Sequence, residues 1–173
     1  MRTVHLAGGC FWCLDAVYRT LRGVTDVVSG YTGGTIAHPS YELVCTGTTG
    51  HAEAVKVVFD ESVIPLDVIL DVFFTLHDPR QLNRQGNDIG PGYRSAIYYA
   101  DEAQKQVALD TIVDVDASGI WPGRVVTEVE PGKIKISTAD GGHSVYVSPF
   151  DASDSMVIDA TDFVYAGTKI YEY

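Results

Sequence analysis

The stretch Gly8-Gly9-Cys10-Phe11-Trp12-Cys13 lies where a short apolar run ends and a helical pattern begins. The residues before it, Thr3 to Ala7, are typical of a strand, and the apolar residues after it recur at helical spacing, at Leu14, Val17, Tyr18 and Leu21. Cys10 is therefore predicted in or near the first turn of a helix. Unpaired N–H groups and the positive end of the helix dipole favour a thiolate there, so we expect the pKa of Cys10 to fall below its ordinary value. The two glycines allow a sharp turn and a close approach of other groups to the backbone.

Composition and charge limit the class of protein. The chain has 173 residues, of which 46% are hydrophobic and 20% are charged, so we expect one compact domain over residues 1–173. A formal net charge of -11 argues against non-specific binding of nucleic acid and against an anionic membrane surface. The sequence contains no apolar run of about 18 residues and no apolar leader, which favours a cytoplasmic protein.

Strand and helix patterns alternate irregularly along the chain. After the first strand, further strands are predicted at Val24–Ser29, His51–Asp60, Arg94–Ala100, Val125–Val129 and Ile134–Thr138, with weaker candidates at Val145–Val147 and Phe163–Tyr165. Helices are predicted from Cys10 to Arg22-Gly23, after Pro65, and from Asp101 to Ser118, with a short turn at Tyr41–Cys45. Loops are predicted at Gly30–Gly34 and over the polar residues 78–92. This order favours an α+β or α/β two-layer sandwich with helices packed on a sheet.

Cys10 and Cys13 form a C-x-x-C pair, and Cys45 is the third cysteine of the chain. In a reducing compartment such a pair indicates dithiol exchange or metal binding. A zinc site is disfavoured because no second C-x-x-C and no H-x(3-5)-H is present. Two small buried core residues remain an alternative, since cysteine is often buried. The pair alone does not decide among these uses.

Further blocks accompany the cysteine pair in a fixed order. They are Gly30-Tyr31-Thr32-Gly33-Gly34, Tyr41-Glu42-Leu43-Val44-Cys45, Thr49-Gly50-His51-Ala52-Glu53-Ala54-Val55, His77-Asp78-Pro79, Asn83-Arg84-Gln85-Gly86-Asn87-Asp88-Ile89-Gly90 and Tyr93-Arg94-Ser95. Together with Gly8 to Cys13, these blocks resemble the peptide methionine sulfoxide reductase A family. The resemblance covers residues 3 to about 131 and implies a ferredoxin-like plait with a mixed, largely antiparallel sheet. Residues 131–173 diverge from the family pattern and are expected to form a long, irregular C-terminal part of the same domain.

The resemblance implies a role for each residue that matches the family's motifs. Cys10 would be the nucleophile, Glu53 a protonated carboxylic acid that gives its proton to the sulfoxide oxygen, and Cys13 the resolving cysteine. The residues that would bind the substrate are Phe11 and Trp12 around the S-methyl group, Tyr41 and Tyr93 at the oxygen, and Asp88, which would shape the site.

The remaining cysteine and the histidines receive other interpretations. Cys45 is assigned to structure, although it could resolve Cys10. Because no cysteine follows Cys45, the sulfenic acid on Cys10 must be resolved locally, and Cys13 is the preferred resolving residue. His51 and His77 are assigned to structure as well, since a lone histidine beside an apolar stripe is usually a satisfied buried group. His143, in a loose echo of a family segment, is left open.

The implied activity is reduction of methionine S-sulfoxide, free or in proteins, in the repair of oxidative damage. Cys10 would become a sulfenic acid, Cys13 would close a disulfide, and thioredoxin or another dithiol would reduce it. No metal or organic cofactor is expected, and neither nucleic acid nor a membrane is an expected partner. We expect a monomer. The alternative is a redox-sensing or interaction module with little turnover, built on the same domain.

Overall fold

The computed structural model describes residues 1–36, 41–132, 134–137 and 144–147, of which Tyr41 and the last two stretches are described by their backbone. In chain order the strands are β1 (Arg2–Gly8), β2 (Val24–Thr32), β3 (Ala52–Phe59), β4 (Arg84–Gln85), β5 (Asp88–Ile89), β6 (Ser95–Tyr99), β7 (Glu128–Pro131), β8 (Ile134–Ser137) and β9 (Ser144–Val147). The helices are α1 (Phe11–Tyr18), α2 (Tyr41–Cys45), α3 (Leu66–Leu76) and α4 (Glu102–Ser118), and a 3-10 turn spans Pro91–Tyr93.

The central sheet has five strands in the order β2-β3-β1-β6-β7. Its pairs are antiparallel except for β6 with β7, which run parallel. The short strands β4 and β5 form a hairpin of their own, and so do β8 and β9. The sheet is thus mixed and largely antiparallel with helices packed on it, which confirms the predicted α+β class.

The two faces of the sheet are built differently. One face presents large side chains, such as Val4 and Leu6 of β1, to a hydrophobic core shared with α1, α3 and α4. The spacing of apolar residues in α3 explains its place, because Leu66, Ile69, Leu70, Phe73 and Phe74 are its buried side chains. The other face carries a separate cluster of small residues, namely Ala7, Ala52, Ala54 and Ala96, with Tyr98.

Helix α1 is shorter than predicted, because it ends at Tyr18 and not near Gly23. The Tyr18 ring is fully buried, and its hydroxyl donates a hydrogen bond to the Ile69 carbonyl at 2.8 Å. Two tight turns follow, in which the Thr20 and Leu21 N–H groups bond to carbonyls three residues earlier. Gly23, with φ 97°, bonds through its carbonyl to the Asp60 N–H, so it leads into β2 instead of ending the helix.

Strand β2 is longer than predicted, because Gly30, Tyr31 and Thr32 belong to it and not to a loop. These residues pair in register with Ala54, Glu53 and Ala52 of β3. Burial of the Tyr31 ring against Phe11 also favours the extended backbone here, although the glycine pattern is typical of a loop. The extension continues the pairing of the edge strand β2 along β3 as far as Glu53 and Ala52.

The other elements follow the sequence patterns with small shifts. The Asp101 side chain accepts a hydrogen bond from the Gln104 N–H, and Gly119, with φ 69°, ends α4 as predicted. Strand β7 begins at Glu128, later than the predicted Val125. The predicted strands at residues 134–138 and 145–147 correspond to β8 and β9, whereas Phe163–Tyr165 lies outside the described residues.

Candidate active site

The turn between β1 and α1 requires glycine for steric reasons. Gly9 has φ 88°, and a Cβ there would lie 2.7 Å from Cγ of Gln85. A Cβ on Gly8 would lie 2.9 Å from the Phe73 ring and 3.1 Å from the His77 ring. The groups that approach the backbone closely are therefore side chains of the protein itself, namely Phe73, His77 and Gln85, and they pack against the two residues before Cys10.

Cys10 is half-buried and lies immediately before the first residue of α1, where its carbonyl accepts a hydrogen bond from the Cys13 N–H at 3.2 Å. Burial raises the pKa of its thiol, and hydrogen bonds from the Trp12 and Cys13 backbone N–H groups lower that pKa without offsetting burial. The nearby Cys13 and Glu53 raise the pKa further. The predicted lowering of the Cys10 pKa is therefore wrong, because desolvation outweighs the helix terminus.

Glu53 is the second residue of β3 and is half-buried. Its carboxyl oxygen accepts a hydrogen bond at 3.2 Å from the N–H of Phe11, the first helical residue after Cys10. Burial raises the pKa of Glu53 to about 7, the Phe11 hydrogen bond opposes that rise, and the Asp88 charge adds to it. Glu53 thus satisfies a helix N–H that has no partner within the helix, and a large share of it carries a proton near neutral pH.

Tyr93 ends the 3-10 turn and is half-buried. Burial raises the pKa of its phenol, and the charges of Glu53, Asp88, Cys10 and Cys45 raise it further. The phenol therefore keeps its proton near neutral pH and lies within electrostatic reach of those groups. Asp88 belongs to the exposed β4–β5 hairpin, where it pairs with Gln85.

The two aromatic residues after Cys10 occupy different environments. Phe11 is 4% exposed and packs against the Tyr31 ring in the core, with ring centroids 5.5 Å apart. Trp12 is 47% exposed, and its ring stacks on Phe11 at 5.8 Å. The accessible aromatic surface at this end of α1 is therefore that of Trp12, and Phe11 supports it from behind.

The structure contains Cys10, Cys13 and Cys45 as free thiols, and both Cys13 and Cys45 are exposed. Cys45 ends the short helix α2, whose first residue is Tyr41. The fold brings four of the predicted site residues within electrostatic reach of one another, namely Cys10, Glu53, Asp88 and Tyr93. They come from the turn between β1 and α1, from β3 and from the segment that precedes β6. The Tyr41 side chain lies outside the described part of the structure.

The two histidines assigned to structure are both buried. The His77 Nδ1 donates to the Phe73 carbonyl at 2.7 Å, its Nε2 accepts from the Ser95 hydroxyl at 2.7 Å, and burial lowers the pKa of its ring to about 4. The His51 ring fills the space that a Cβ on Gly34 would take. These contacts support the structural interpretation, whereas His143 lies outside the described residues.

Two supporting side chains received no role from the sequence. The Gln85 amide donates to the Asp78 carbonyl at 3.1 Å and accepts from the Asp78 N–H at 3.0 Å, which holds its aliphatic part over Gly9. Arg94 is the second, and it follows Tyr93 directly with a nearly buried side chain. Both residues belong to blocks that resemble the family, so their position in those blocks was the available signal.

Within the described ranges, no group of three His, Cys, Asp or Glu side chains is arranged to hold a metal ion. Among the same residues, no helix is both long and apolar enough to cross a membrane.

Comparisons with known proteins show the family of the chain. The family model described as peptide methionine sulfoxide reductase matches residues 2–162. A relative named peptide methionine sulfoxide reductase MsrA, from Clavibacter michiganensis subsp. michiganensis, is 70% identical over 131 residues, which are 76% of this chain and 74% of the relative. The chain belongs to the peptide methionine sulfoxide reductase A family.

Solved structures extend the comparison to the fold of this reductase family. Mxr1 from Saccharomyces cerevisiae in its reduced form is 31% identical, with a TM-score of 0.69 over 75% of each chain. Mxr1 in complex with Trx2 superposes with a TM-score of 0.58 at 20% identity, covering 85% of this chain and 88% of that one. At that identity, the second structure supports the fold alone.

Proposed function

We propose that this chain reduces methionine S-sulfoxide to methionine, with Cys10 as the nucleophile and Glu53 as the proton donor. The observation that carries the proposal is the half-buried Glu53 carboxyl, whose pKa is raised to about 7 and which bonds at 3.2 Å to the amide that follows Cys10. A carboxylic acid that keeps its proton near neutral pH is suited to protonate a departing oxygen.

In the first step the Cys10 sulfur attacks the sulfoxide sulfur while Glu53 gives its proton to the sulfoxide oxygen. The proton that Cys10 loses replaces the one that Glu53 has given. The S–O bond of the substrate then breaks as the hydroxyl passes to the Cys10 sulfur, and the bond between the two sulfur atoms breaks with its electron pair going to the substrate sulfur. Methionine leaves, and Cys10 is a sulfenic acid. The thiol is oxidised and the sulfoxide is reduced by the same two electrons.

The substrate would be held by the groups around this pair. Trp12 offers an accessible ring to the S-methyl group, with Phe11 behind it, since thioether sulfur and aromatic rings attract each other. Tyr93 keeps its phenolic proton and would donate it as a hydrogen bond to the oxygen, as would Tyr41. Asp88 would shape the site through its charge, which already raises the pKa of Glu53.

In the second step Cys13 attacks the Cys10 sulfenic acid, which forms a disulfide and releases water. Cys13 is exposed and lies one helical turn from Cys10, so the first turn of α1 must loosen to bring the sulfur atoms into bonding distance. A dithiol such as thioredoxin would then reduce this accessible disulfide.

The remaining parts of the proposal concern the whole chain. Residues 1–173 would form a single domain, which is supported by the family match over residues 2–162. The domain would work in the cytoplasm as a monomer, without a metal or organic cofactor, on free or protein-bound methionine sulfoxide. A net charge of -11 disfavours nucleic acid and anionic membranes as partners.

The test uses the purified full chain with dithiothreitol and a blocked methionine sulfoxide, supplied as separate S and R epimers. We expect turnover of the S epimer and background rates with the R epimer. Failure to reduce the S epimer would disprove the proposed activity and leave the redox-sensing alternative.

A second experiment tests the resolving cysteine. A single turnover of Cys13→Ser should leave a sulfenic acid on Cys10 that dimedone labels in a one-to-one ratio. Cys45→Ser serves as the matched control and should close a disulfide as the unchanged protein does. A disulfide that still forms in Cys13→Ser would assign resolution to Cys45.

A further inference from the structure

Arg94 follows Tyr93 directly and is nearly enclosed, with a side chain 11% exposed. Its guanidinium donates hydrogen bonds to the Pro91 carbonyl at 2.8 Å, the Gly50 carbonyl at 3.0 Å, the Tyr98 hydroxyl at 3.2 Å and the Glu128 carboxylate at 3.3 Å. Glu128 is 41% exposed, so its attraction for Arg94 is screened by water. The two carbonyls and the Tyr98 hydroxyl therefore supply most of the hydrogen bonding that offsets the burial of the Arg94 guanidinium.

The two carbonyls belong to different segments of the candidate active site. Gly50 lies two residues before the start of β3, which carries Glu53, and Pro91 opens the turn that ends at Tyr93. These segments are separated by about forty residues of sequence, yet both bond to one planar group. A guanidinium holds several acceptors in a fixed plane, so it sets the distance between the two segments.

A third segment is packed against the same group. A Cβ on Gly33 would collide with the Tyr98 hydroxyl and the Arg94 guanidinium, so the loop after β2 can pass only because this residue is glycine. Tyr98 is buried on β6 in the central sheet. Arg94 thus links the segments of Glu53 and Tyr93 to the rigid sheet.

We propose that Arg94 is a positioning residue, which holds the segment of Glu53 against the segment of Tyr93 so that both side chains act on one sulfoxide oxygen. This inference rests on the reaction proposed above and adds a residue to it. Arg94 acts through Glu53 and Tyr93, whereas the turn before Cys10 is packed against Phe73, His77 and Gln85. Glu53 also accepts the Phe11 N–H and raises the pKa of Cys10, so disturbing Arg94 should impair oxygen protonation without slowing the reaction of the Cys10 thiol itself.

The variant Arg94→Lys tests this assignment, because lysine keeps the positive charge and loses the planar set of donors. We expect kcat for the S-sulfoxide to fall at least about tenfold, since a displacement near 1 Å can cost on the order of a hundredfold in rate. The rate of Cys10 alkylation by iodoacetamide should not fall, because the packing beneath Gly8 and Gly9 remains and a displaced Glu53 would raise the pKa of Cys10 less. An unchanged kcat, or an equal loss of alkylation rate and kcat, would overturn the proposal.

The matched control is Arg2→Lys. Arg2 also forms a half-buried ion pair, with Asp101 at 2.9 Å, but it lies at the end of β1 farthest from Cys10. Because the Arg2 side chain is 34% exposed and its ion pair is screened by water, Arg2→Lys should lower Tm by less than Arg94→Lys, while kcat stays the same. If Arg2→Lys lowers kcat as strongly as Arg94→Lys does, the effect is general loosening and the positioning role is refuted.

A double-mutant cycle with Tyr93→Phe distinguishes positioning from a purely structural effect. In the unchanged background, removal of the Tyr93 hydroxyl should lower kcat, and in the Arg94→Lys background it should lower kcat by a clearly smaller factor. The reason is that a Tyr93 hydroxyl already displaced by Arg94→Lys contributes little to kcat, so its removal has little further effect. Equal factors in both backgrounds would overturn the proposal.

If Arg94→Lys does not fold, Tyr98→Phe takes its place in the same cycle. That variant removes one acceptor of Arg94 and keeps the ring in the sheet, so kcat should fall by about two- to tenfold, the value of one hydrogen bond. Additive effects of Tyr98→Phe and Tyr93→Phe would then refute the inference. The unchanged protein serves as the reference for the proposed function, because its failure to reduce the S epimer would refute the reaction itself.

Discussion

The segment that carries Cys10 and the segment that carries Glu53 both bury an ionisable group, but burial has opposite consequences for the two. Desolvation raises the pKa of the Cys10 thiol, so less of the nucleophilic thiolate is present near neutral pH. The same effect raises the pKa of Glu53 to about 7, so more of the proton donor is present. Burial therefore increases the fraction of Glu53 that is protonated and decreases the fraction of Cys10 that is thiolate.

The two segments are also held in place by different forces. The turn before Cys10 is fixed by close packing, with Phe73, His77 and Gln85 against the two glycines. The turn that carries Tyr93 and the entry to the strand of Glu53 are fixed by polar bonds from Arg94. Variants that act on one segment should therefore affect the other mainly through the hydrogen bond from the Phe11 N–H to Glu53 and the effect of Glu53 on the Cys10 pKa.

The largest effect is expected from Cys10→Ser, which removes the nucleophile. Reduction of the S-sulfoxide should fall by about 10⁴-fold or more, as is typical when the nucleophile of a covalent mechanism is lost. Turnover with dithiothreitol measures the loss. Retained activity would transfer the attack to Cys13 or Cys45.

Glu53→Gln should come next, because it keeps the shape of the side chain and removes the proton donor. We expect the first step to slow by about 10²- to 10⁴-fold, with KM little changed. Single-turnover rates at saturating substrate provide the measurement. A rate equal to that of the unchanged protein would exclude Glu53 from the acid role.

The comparison of the two segments predicts different pH dependences for two reactions of one protein. Above the Glu53 pKa of about 7, the acid form of Glu53 is lost while the Cys10 thiolate increases, so sulfoxide reduction should stay nearly level until the Cys10 thiol is itself ionised. Alkylation of Cys10 by iodoacetamide should instead rise with pH, with a midpoint above the ordinary thiol pKa. Parallel pH profiles for the two reactions would contradict the different burial effects.

Gly9→Ala should test the close packing beneath Cys10. The added Cβ meets the Gln85 side chain in a backbone conformation with positive φ, so we expect a loss of about 2–4 kcal/mol in the free energy of unfolding. Gly119→Ala is the matched control, because its φ is 69° with open space around it, and it should cost only about 1 kcal/mol. Equal losses in urea unfolding would show that Gln85 does not constrain the turn.

The smallest effect concerns stability alone. The Glu53 pKa is about 7 in the folded protein against an ordinary 4.5, so folding favours the protonated form. The associated stability is present below pH 4.5 and is lost as the pH rises through 7, by roughly 2–3 kcal/mol. Glu53→Gln should therefore have a higher Tm than the unchanged protein at about pH 8 and a similar Tm at about pH 4. A lower Tm at the higher pH would contradict the unfavourable burial of the carboxylate.

Much of the fold could be predicted from local patterns. The buried stripe of α3 and the cap and terminal glycine of α4 were recognised, because their signals lie within one helix. The end of α1 and the length of β2 were not, because they depend on the Tyr18 contact with α3 and the pairing of Tyr31 with Glu53. Contacts between distant segments leave no local signal.

The sequence by itself determined the family motifs, the strand–turn–helix around Cys10 and the α+β class, since spacing and residue type are local properties. Only the tertiary structure decided that Cys10 has a raised pKa, that Glu53 bonds to the Phe11 amide and that Arg94 links Gly50 to Pro91. The physical reason is that desolvation and hydrogen bonding between segments depend on which groups the folded chain brings together.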